Sequence, residues 1–169
     1  PKLVRCRGIS ADMEATARCL PALGASARRT AEGYLVTPGA SHAAAADCGE
    51  SGTTFRLLLP MACAAGSTTA FHLGGRLPQR PLSPLYEALT AHGCTLSPQG
   101  ANPFLAAGRL QSGAYTLAGN VSSQFISGLL FALPLLAGDS TLTLTGPISS
   151  ASYIALTLRV LRRFGIDIC

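Results

Sequence analysis

Residues 119–125 read Gly-Asn-Val-Ser-Ser-Gln-Phe and stand at the start of an apolar run that ends near Ala137. Two hydroxyls and a carboxamide therefore lie side by side where a strand is predicted to end and a helix to begin. The first turn of a helix exposes unpaired backbone N–H groups and a positive dipole end, which suit an anion. Ser122 or Ser123 can equally cap the helix, with Gln124 in the first turn. The local sequence leaves a cap and an anion site open.

The bulk composition describes a folded chain with scattered positive charge. Its 169 residues suffice for one domain, or two small ones, and 48% are apolar while only 12% are charged. The net charge is +5, but the arginines form no block and aromatic residues are few. That pattern argues against a nucleic-acid partner. Isolated guanidinium groups suit small anions, because they bind carboxylate and phosphate bidentately.

The six cysteines show no C-x-x-C spacing, and most lie among apolar neighbours. They are predicted to be buried thiols rather than disulfides, which favours a cytoplasmic location. The longest apolar run, residues 125–137, is too short to span a bilayer and contains Pro134. The chain begins without Met inside a predicted strand, so we expect it to be a piece of a longer protein.

A repeated order of elements organises the chain. Three glycines that each end a predicted helix, Gly24, Gly93 and Gly165, are spaced 69 and 72 residues apart. Helices are predicted at residues 10–23, 52–65, 84–91, 121–137 and 152–164, and strands at 3–7, 25–29, 34–37, 68–73, 94–97, 140–145 and 166–168. The pattern predicts a single α/β (α+β) domain over residues 1–169. It would be a pseudo-threefold repeat of βαβαββ units, truncated at both ends, with small mixed sheets around buried helices.

Three further loops precede predicted helices. Residues 48–56, Cys-Gly-Glu-Ser-Gly-Thr-Thr-Phe-Arg, form a second polar start to an apolar helix. Gly52 would let a ligand approach the backbone, with Thr53 and Thr54 supplying hydroxyls. A glycine turn with a threonine cap is the structural alternative, and Arg56 can pair with Asp47 or Glu50. The P-loop pattern is absent.

The other two loops carry an arginine and a tyrosine. Arg80 immediately precedes Pro81, which favours an extended backbone and makes Arg80 a candidate carboxylate clamp or a solvated loop charge. In the third repeat the matching loop contains Ser150 and Tyr153, where a core tyrosine with a serine cap is the alternative. No paired acid and base stand out, and His42, His72 and His92 match no catalytic template.

Together these loops resemble the 5-enolpyruvylshikimate-3-phosphate synthase family (3-phosphoshikimate 1-carboxyvinyltransferase). The most specific piece is Val-Ser-Ser-Gln-Phe at 121–125; Gly-Glu-Ser-Gly-Thr-Thr-x-Arg at 49–56, Gln-Arg-Pro-Leu at 79–82 and the Ser150…Tyr153 pair follow the family pattern. The resemblance covers essentially the whole chain. It implies the N-terminal domain of a two-domain transferase with the inside-out α/β barrel fold, whose domains close over substrates.

The resemblance also implies roles for individual residues. Shikimate 3-phosphate would be held by Ser122, Ser123, Gln124, Ser150 and Tyr153. Phosphoenolpyruvate would be held by Gly52, Arg80 and Gln124. No metal or cofactor is implied.

This sequence departs from the family pattern at two places. Glu50 stands where many members carry Asn, and Ser-Ala-Ser-Tyr at 150–153 replaces the commoner Ser-Lys-Pro-Tyr, which loses a lysine beside the pocket. The family's Gly-Ser-Lys-Ser-x-x-x-Arg segment is expected before Pro1, and its catalytic Asp, Lys and Glu in the C-terminal domain. No catalytic residue is therefore expected in residues 1–169, and these residues alone should be inactive.

Two rival hypotheses remain at the level of sequence. One is the related UDP-N-acetylglucosamine enolpyruvyl transferase, against which the Ser-Ser-Gln loop speaks, as does the absence of a cysteine in residues 74–81. The other is a non-catalytic anion-binding module built on the same repeats.

Overall fold

The computed structural model describes residues 1–39 and 44–169, and these contain nine strands and five α-helices. The strands are β1 (Lys2–Arg5), β2 (Ala25–Thr30), β3 (Gly33–Pro38), β4 (Ala45–Gly49), β5 (Thr69–Leu73), β6 (Cys94–Leu96), β7 (Phe104–Gly108), β8 (Ala114–Ala118) and β9 (Thr141–Thr145). The helices are α1 (Ala11–Cys19), α2 (Gly52–Ala65), α3 (Leu85–Ala91), α4 (Ser123–Ala132) and α5 (Ala151–Arg163). Short 3-10 turns lie at Leu20–Leu23, Leu77–Gln79 and Leu133–Leu135.

The middle of the chain holds one complete βαβαββ unit, β4-α2-β5-α3-β6-β7, whose sheet has the order β4-β5-β7-β6. The first sheet, β1-β3-β2, has the same antiparallel pairing as β5-β7-β6. The third sheet pairs β8 and β9 in parallel, as β4 and β5 pair. The outer copies therefore contain the last and the first part of the same unit, which confirms the predicted repeat. Only the middle sheet is mixed, so the prediction of mixed sheets is wrong for the outer two.

Two predicted elements differ from the structure near the C-terminal part of the chain. The helix predicted at 121–137 ends at Ala132 and continues as a 3-10 turn, because Pro134 has no N–H to donate to the preceding turn. Residues 166–168 were expected to form a strand but do not. A strand needs a hydrogen-bonded partner, and no strand of the described residues pairs with this segment.

Three strands of the structure, β4, β7 and β8, were not predicted from the sequence. Each is rich in alanine or glycine, which have low strand propensity. In these strands the alternation of the two faces is seen in the burial of the residues and not in the sequence. In β8, for example, Tyr115 and Leu117 are buried while Ala114 and Thr116 are exposed.

The main core surrounds the two helices that were predicted to be buried, α2 and α4. Phe55 of α2 makes edge-to-face contacts with Phe71 and Phe104, each with ring centroids 5.4 Å apart. Leu129 of α4 is fully buried in the same cluster. Burial of such side chains stabilises the fold by about 1.5–3 kcal/mol each.

The cysteines behave as predicted from their apolar neighbours. Cys19, Cys48, Cys63 and Cys94 are buried and all six are free thiols. The contact of Cys48 with the Cys19 thiol, together with burial, raises the pKa of Cys48, so it remains a neutral thiol. A search of the described helices finds none with the length and hydropathy needed to cross a membrane.

A close contact between α2 and α4 occurs at Gly128. A Cβ atom added there would lie 2.5 Å from the carbonyl oxygen of Arg56 and 3.1 Å from Cγ of Pro60. Both are rigid groups of α2, so the two helices can approach this closely only because residue 128 has no side chain.

We predict that Gly128→Ala destabilises the fold by about 1–3 kcal/mol, the usual cost of overpacking, even though alanine favours the helix. Urea unfolding measures the difference. Gly8→Ala is the matched control, because a Cβ at Gly8 would meet nothing within 4 Å. Equal unfolding midpoints for the two variants would contradict this account of the α2–α4 contact.

Candidate anion-binding site

The start of α4 combines a helix cap with exposed polar groups. Ser122 is the N-cap, and its hydroxyl accepts a hydrogen bond from the backbone N–H of Gln124 at 3.3 Å. The cap alternative for Ser122 is thus confirmed. Ser123 opens the helix, and the side chains of Ser123 and Gln124 line a cleft.

The start of α2 is capped by Ser51, whose hydroxyl accepts from the backbone N–H of Thr54 at 3.1 Å. The expected threonine cap is therefore wrong. Thr54 is also wrong as a ligand hydroxyl: it is only 1% exposed and lies 2.8 Å from the hydroxyl of Thr16. Thr53, on the next face of the helix, lines the cleft beside Gln124.

A hydrogen-bonded link joins these two helix starts. Nη1 of Arg56 donates to Oε1 of Gln124 at 2.9 Å, and Nε2 of Gln124 donates to the hydroxyl of Thr53 at 2.8 Å. The expected pairing of Arg56 with Asp47 or Glu50 is not what the structure shows, because Asp47 pairs with Arg18 instead, at 3.3 Å.

Two guanidinium groups converge on the first residue of α2. A Cβ added to Gly52 would lie 3.2 Å from Nη1 of Arg80 and 3.7 Å from Nη1 of Arg56. Arg80 has the extended backbone predicted from Pro81, with φ −73° and ψ 135°. Within residues 1–39 and 44–169, neither arginine takes part in a salt bridge.

The electrostatics of this arrangement favour an anion. Burial and the nearby charge of Arg80 both lower the pKa of the Arg56 guanidinium from its usual value. An arginine remains protonated at neutral pH, so the folded protein carries two like charges in proximity. An anion bound over Gly52 would relieve that repulsion and would meet the free N–H groups at the start of α2.

The cleft itself has a volume of about 670 Å³ and lies between the start of α4, α2 and α5. Its polar wall is formed by Thr53, Arg56, Ser122, Ser123, Gln124, Ser127, Tyr153 and Thr157, and its apolar wall by Leu57, Phe131, Leu156 and Val160.

Of the two candidates from the third repeat, Ser150 and Tyr153, only Tyr153 lines this cleft. Tyr153 lines it and is 64% exposed, so it is not the core tyrosine of the alternative reading. Ser150 does not line the cleft but precedes α5 with a left-handed backbone, φ 57°. Such a conformation costs a non-glycine residue roughly 1–3 kcal/mol and clusters at ligand-binding loops.

Arg56 was not predicted as a site residue from the sequence, because only nearby carboxylates were considered as partners of its side chain. Its partner Gln124 is 68 residues away. The histidines add no further candidate: His72 is exposed on β5, the His92 ring stacks on Tyr115 at 3.7 Å, and His42 lies outside the described residues. No cluster of potential metal ligands occurs in the described part of the chain.

A second cavity, of about 610 Å³, lies between α4, β9, α5 and the last residues. It is mostly apolar and its charged lining residues are Asp139 and Asp167. Those carboxylates make it unsuited to an anion, so the first cleft and the adjoining Gly52 position remain the candidate site.

Comparison with known proteins identifies the family of the chain. The family model for EPSP synthase (3-phosphoshikimate 1-carboxyvinyltransferase) matches residues 8–169. Among curated proteins, the 3-phosphoshikimate 1-carboxyvinyltransferase of Clostridium kluyveri is 37% identical over 93% of this chain and 38% of its own length. That of Clostridium beijerinckii is 42% identical over 72% of this chain and 28% of its own length.

A solved structure of the EPSP synthase from Acinetobacter baumannii superposes with a TM-score of 0.74. It is 26% identical and covers 93% of this chain and 36% of its own. The chain thus spans well under half the length of the relatives that it matches.

We predict that sulfate raises the thermal unfolding midpoint of the protein more than sodium chloride does at equal ionic strength. The physical reason is linkage: an anion that binds the folded state alone stabilises it by about 2.7 kcal/mol at a hundred times its Kd. Arg80→Gln should reduce the difference between the salts to the general stabilisation that sulfate gives a folded protein. Arg28→Gln, which removes an exposed charge on β2, is the control and should retain it. An undiminished sulfate effect in Arg80→Gln would place the anion elsewhere.

Proposed function

This chain belongs to the EPSP synthase family, and on that premise we propose that it supplies part of the substrate site of a 3-phosphoshikimate 1-carboxyvinyltransferase. The reaction transfers the enolpyruvyl group of phosphoenolpyruvate to a hydroxyl of shikimate 3-phosphate and releases phosphate. We propose that residues 1–169 act as the N-terminal domain of a two-domain protein in the cytoplasm. Its partners would be these two substrates and the C-terminal domain.

The observation that carries the proposal is the pair of adjacent anion subsites at two helix starts. Over Gly52, the guanidinium groups of Arg56 and Arg80 converge at the start of α2, and neither forms a salt bridge within the described residues. Beside them, hydroxyl and amide groups of Ser122, Ser123 and Gln124 line a cleft. Two anionic substrates that must react with each other need such neighbouring subsites.

We assign phosphoenolpyruvate to the Gly52 subsite and shikimate 3-phosphate to the cleft. Arg80 would pair with a charged group of phosphoenolpyruvate, which requires that residue 52 carry no side chain. Ser122, Ser123 and Tyr153 would hold shikimate 3-phosphate, with Ser150 fixing the loop before α5 or contacting the phosphate. Gln124 lies between the two subsites.

The chemical contribution of these residues is binding and orientation. The shikimate hydroxyl adds to the enolpyruvyl carbon of phosphoenolpyruvate, and the tetrahedral adduct then loses phosphate. Holding two reactants in position makes such a step effectively unimolecular, which can contribute about 7–11 kcal/mol to lowering the barrier. Proton transfer is expected from carboxylate and amine groups outside residues 1–169, because the described residues that line the cleft include no paired acid and base.

The decisive experiment is an assay of phosphate release from phosphoenolpyruvate and shikimate 3-phosphate by the full-length protein. Release that requires both substrates is expected. Turnover with UDP-N-acetylglucosamine instead would favour the related transferase. Anion binding without turnover of either acceptor would favour the non-catalytic module.

We predict that Gly52→Ala raises the KM for phosphoenolpyruvate by about tenfold or more. The new methyl group would lie 3.2 Å from Nη1 of Arg80 and occupy the space over the start of α2. A tenfold change corresponds to about 1.4 kcal/mol. The KM for shikimate 3-phosphate should change less, and Gly8→Ala should leave both constants unchanged. An equal rise in both KM values would indicate a general disturbance of α2 rather than a blocked subsite.

A further inference from the structure

We propose that Arg56 is a positioning residue that sets the orientation of the Gln124 carboxamide and ties it to the loop that carries Arg80. The proposal deepens the proposed function, on which its kinetic part rests. The resemblance assigns Arg56 no substrate, and its contacts with Gln124 and Pro81 appear only in the tertiary structure.

The first step concerns the orientation of the Gln124 amide. Its oxygen faces Nη1 of Arg56 at 2.9 Å and its nitrogen faces the hydroxyl of Thr53 at 2.8 Å. A hydroxyl can donate or accept, so Thr53 is compatible with either orientation of the amide. A guanidinium can only donate, so Arg56 excludes the orientation that turns the amide nitrogen towards it. Arg56 therefore leaves the second Nε2 hydrogen of Gln124 free to donate to an anionic ligand.

The second step concerns the loop of the other subsite. Nη2 of Arg56 donates to the carbonyl oxygen of Pro81 at 3.2 Å. Pro81 directly follows Arg80, so this bond holds the backbone on which the Arg80 side chain stands. One planar group thus contacts Gln124, which lies between the two subsites, and Pro81, which follows Arg80 of the phosphoenolpyruvate subsite.

The third step concerns why the Arg56 side chain stays in place. Its Cζ atom lies 5.3 Å from the centre of the Phe125 ring, a cation–π distance. Its own carbonyl oxygen lies at the close α2–α4 contact with Gly128. Backbone and guanidinium are therefore both held against α4, whose first turn carries Gln124.

The fourth step concerns the effect of the Arg56 charge on the stability of the fold. The Arg56 charge is half-buried, lies near Arg80 and has no carboxylate partner within the described ranges of the chain. Burial of a charge beside a like charge lowers stability. A lysine would carry the same charge but lacks the fork that reaches two acceptors at once. The geometry of the fork, rather than charge alone, accounts for arginine at this position.

The test uses the full-length protein as wild type, Arg56→Lys, Gln124→Ala and the double variant, with Arg28→Gln as the control for a lost exposed arginine. Urea unfolding gives a double-mutant cycle. We expect the combined effect on the unfolding equilibrium constant to be at least fivefold smaller than the product of the single effects, as for residues in direct contact. Multiplicative effects would overturn the proposal.

The second measurement is the Kd of inorganic phosphate by calorimetry, which needs no turnover. Because hydrogen bonds involving charged groups are worth about a factor of ten or more, Arg56→Lys should weaken phosphate binding about tenfold although its charge is retained. Arg28→Gln should bind as the wild type does. Unchanged affinity in Arg56→Lys would show that Arg56 is only a structural residue, and a wild type that binds no phosphate would also overturn the proposal.

Kinetics separate this inference from the proposed function. If the wild-type protein turns over, Arg56→Lys should raise the KM of both substrates, while the effect should largely disappear in the Gln124→Ala background for shikimate 3-phosphate. A rise in the KM for shikimate 3-phosphate that persists in that background would contradict the coupling. If the wild type shows no turnover, the proposed function fails, whereas the unfolding cycle and phosphate binding still decide the role of Arg56.

Discussion

The close contact between α2 and α4 is the constraint on which the rest of the structure depends. At Gly128 the backbone of α4 approaches the carbonyl of Arg56 in α2, so the two helices lie close together at this point. This contact brings two helix starts from different repeats to the same edge of the domain. The hydrogen bonds from Arg56 and Thr53 to Gln124 then become possible.

The repeat explains why polar helix starts occur at equivalent places. In each of the second and third units a parallel strand pair is connected through a buried helix, so each unit presents the start of that helix at its sheet edge. Capping by Ser51 and Ser122 satisfies one backbone donor at each start. The remaining donors and the helix dipoles are available to a ligand, so capping and binding are compatible at one helix start.

Two arginines show how the fold brings charges that are scattered along the sequence close together. The chain is only moderately basic, and most of its ion pairs are exposed pairs that contribute little, such as Arg5 with Glu32. Arg56 and Arg80 differ because they converge on one point without a carboxylate partner in the described residues. Their mutual repulsion lowers stability, and a bound anion would offset it. The electrostatic interaction is stronger in this half-buried setting than at the surface, because water and salt screen the charges less.

Much of the architecture followed from local sequence. The apolar run and its glycine end determined α2 at its observed bounds, Gly52–Ala65, and the polar residues before α4 marked a capped helix start. The spacing of three glycines indicated the repeat. Local sequence sufficed for these features because helix caps, helix ends and apolar periodicity depend on residues within a few positions of one another.

Only the tertiary structure decided the features that depend on distant partners. The alanine-rich strands β4, β7 and β8 exist because neighbouring strands pair with them, whereas residues 166–168 stay unpaired despite a strand-like sequence. The hydroxyl of Thr54 does not face a ligand site, because it contacts the hydroxyl of Thr16 in α1. Arg56 acquired its partner from 68 residues away. The sequence by itself determined which helix starts carry polar groups suited to an anion, and packing of α2 on α4 decided that these starts lie side by side, since no local pattern encodes a contact over that separation.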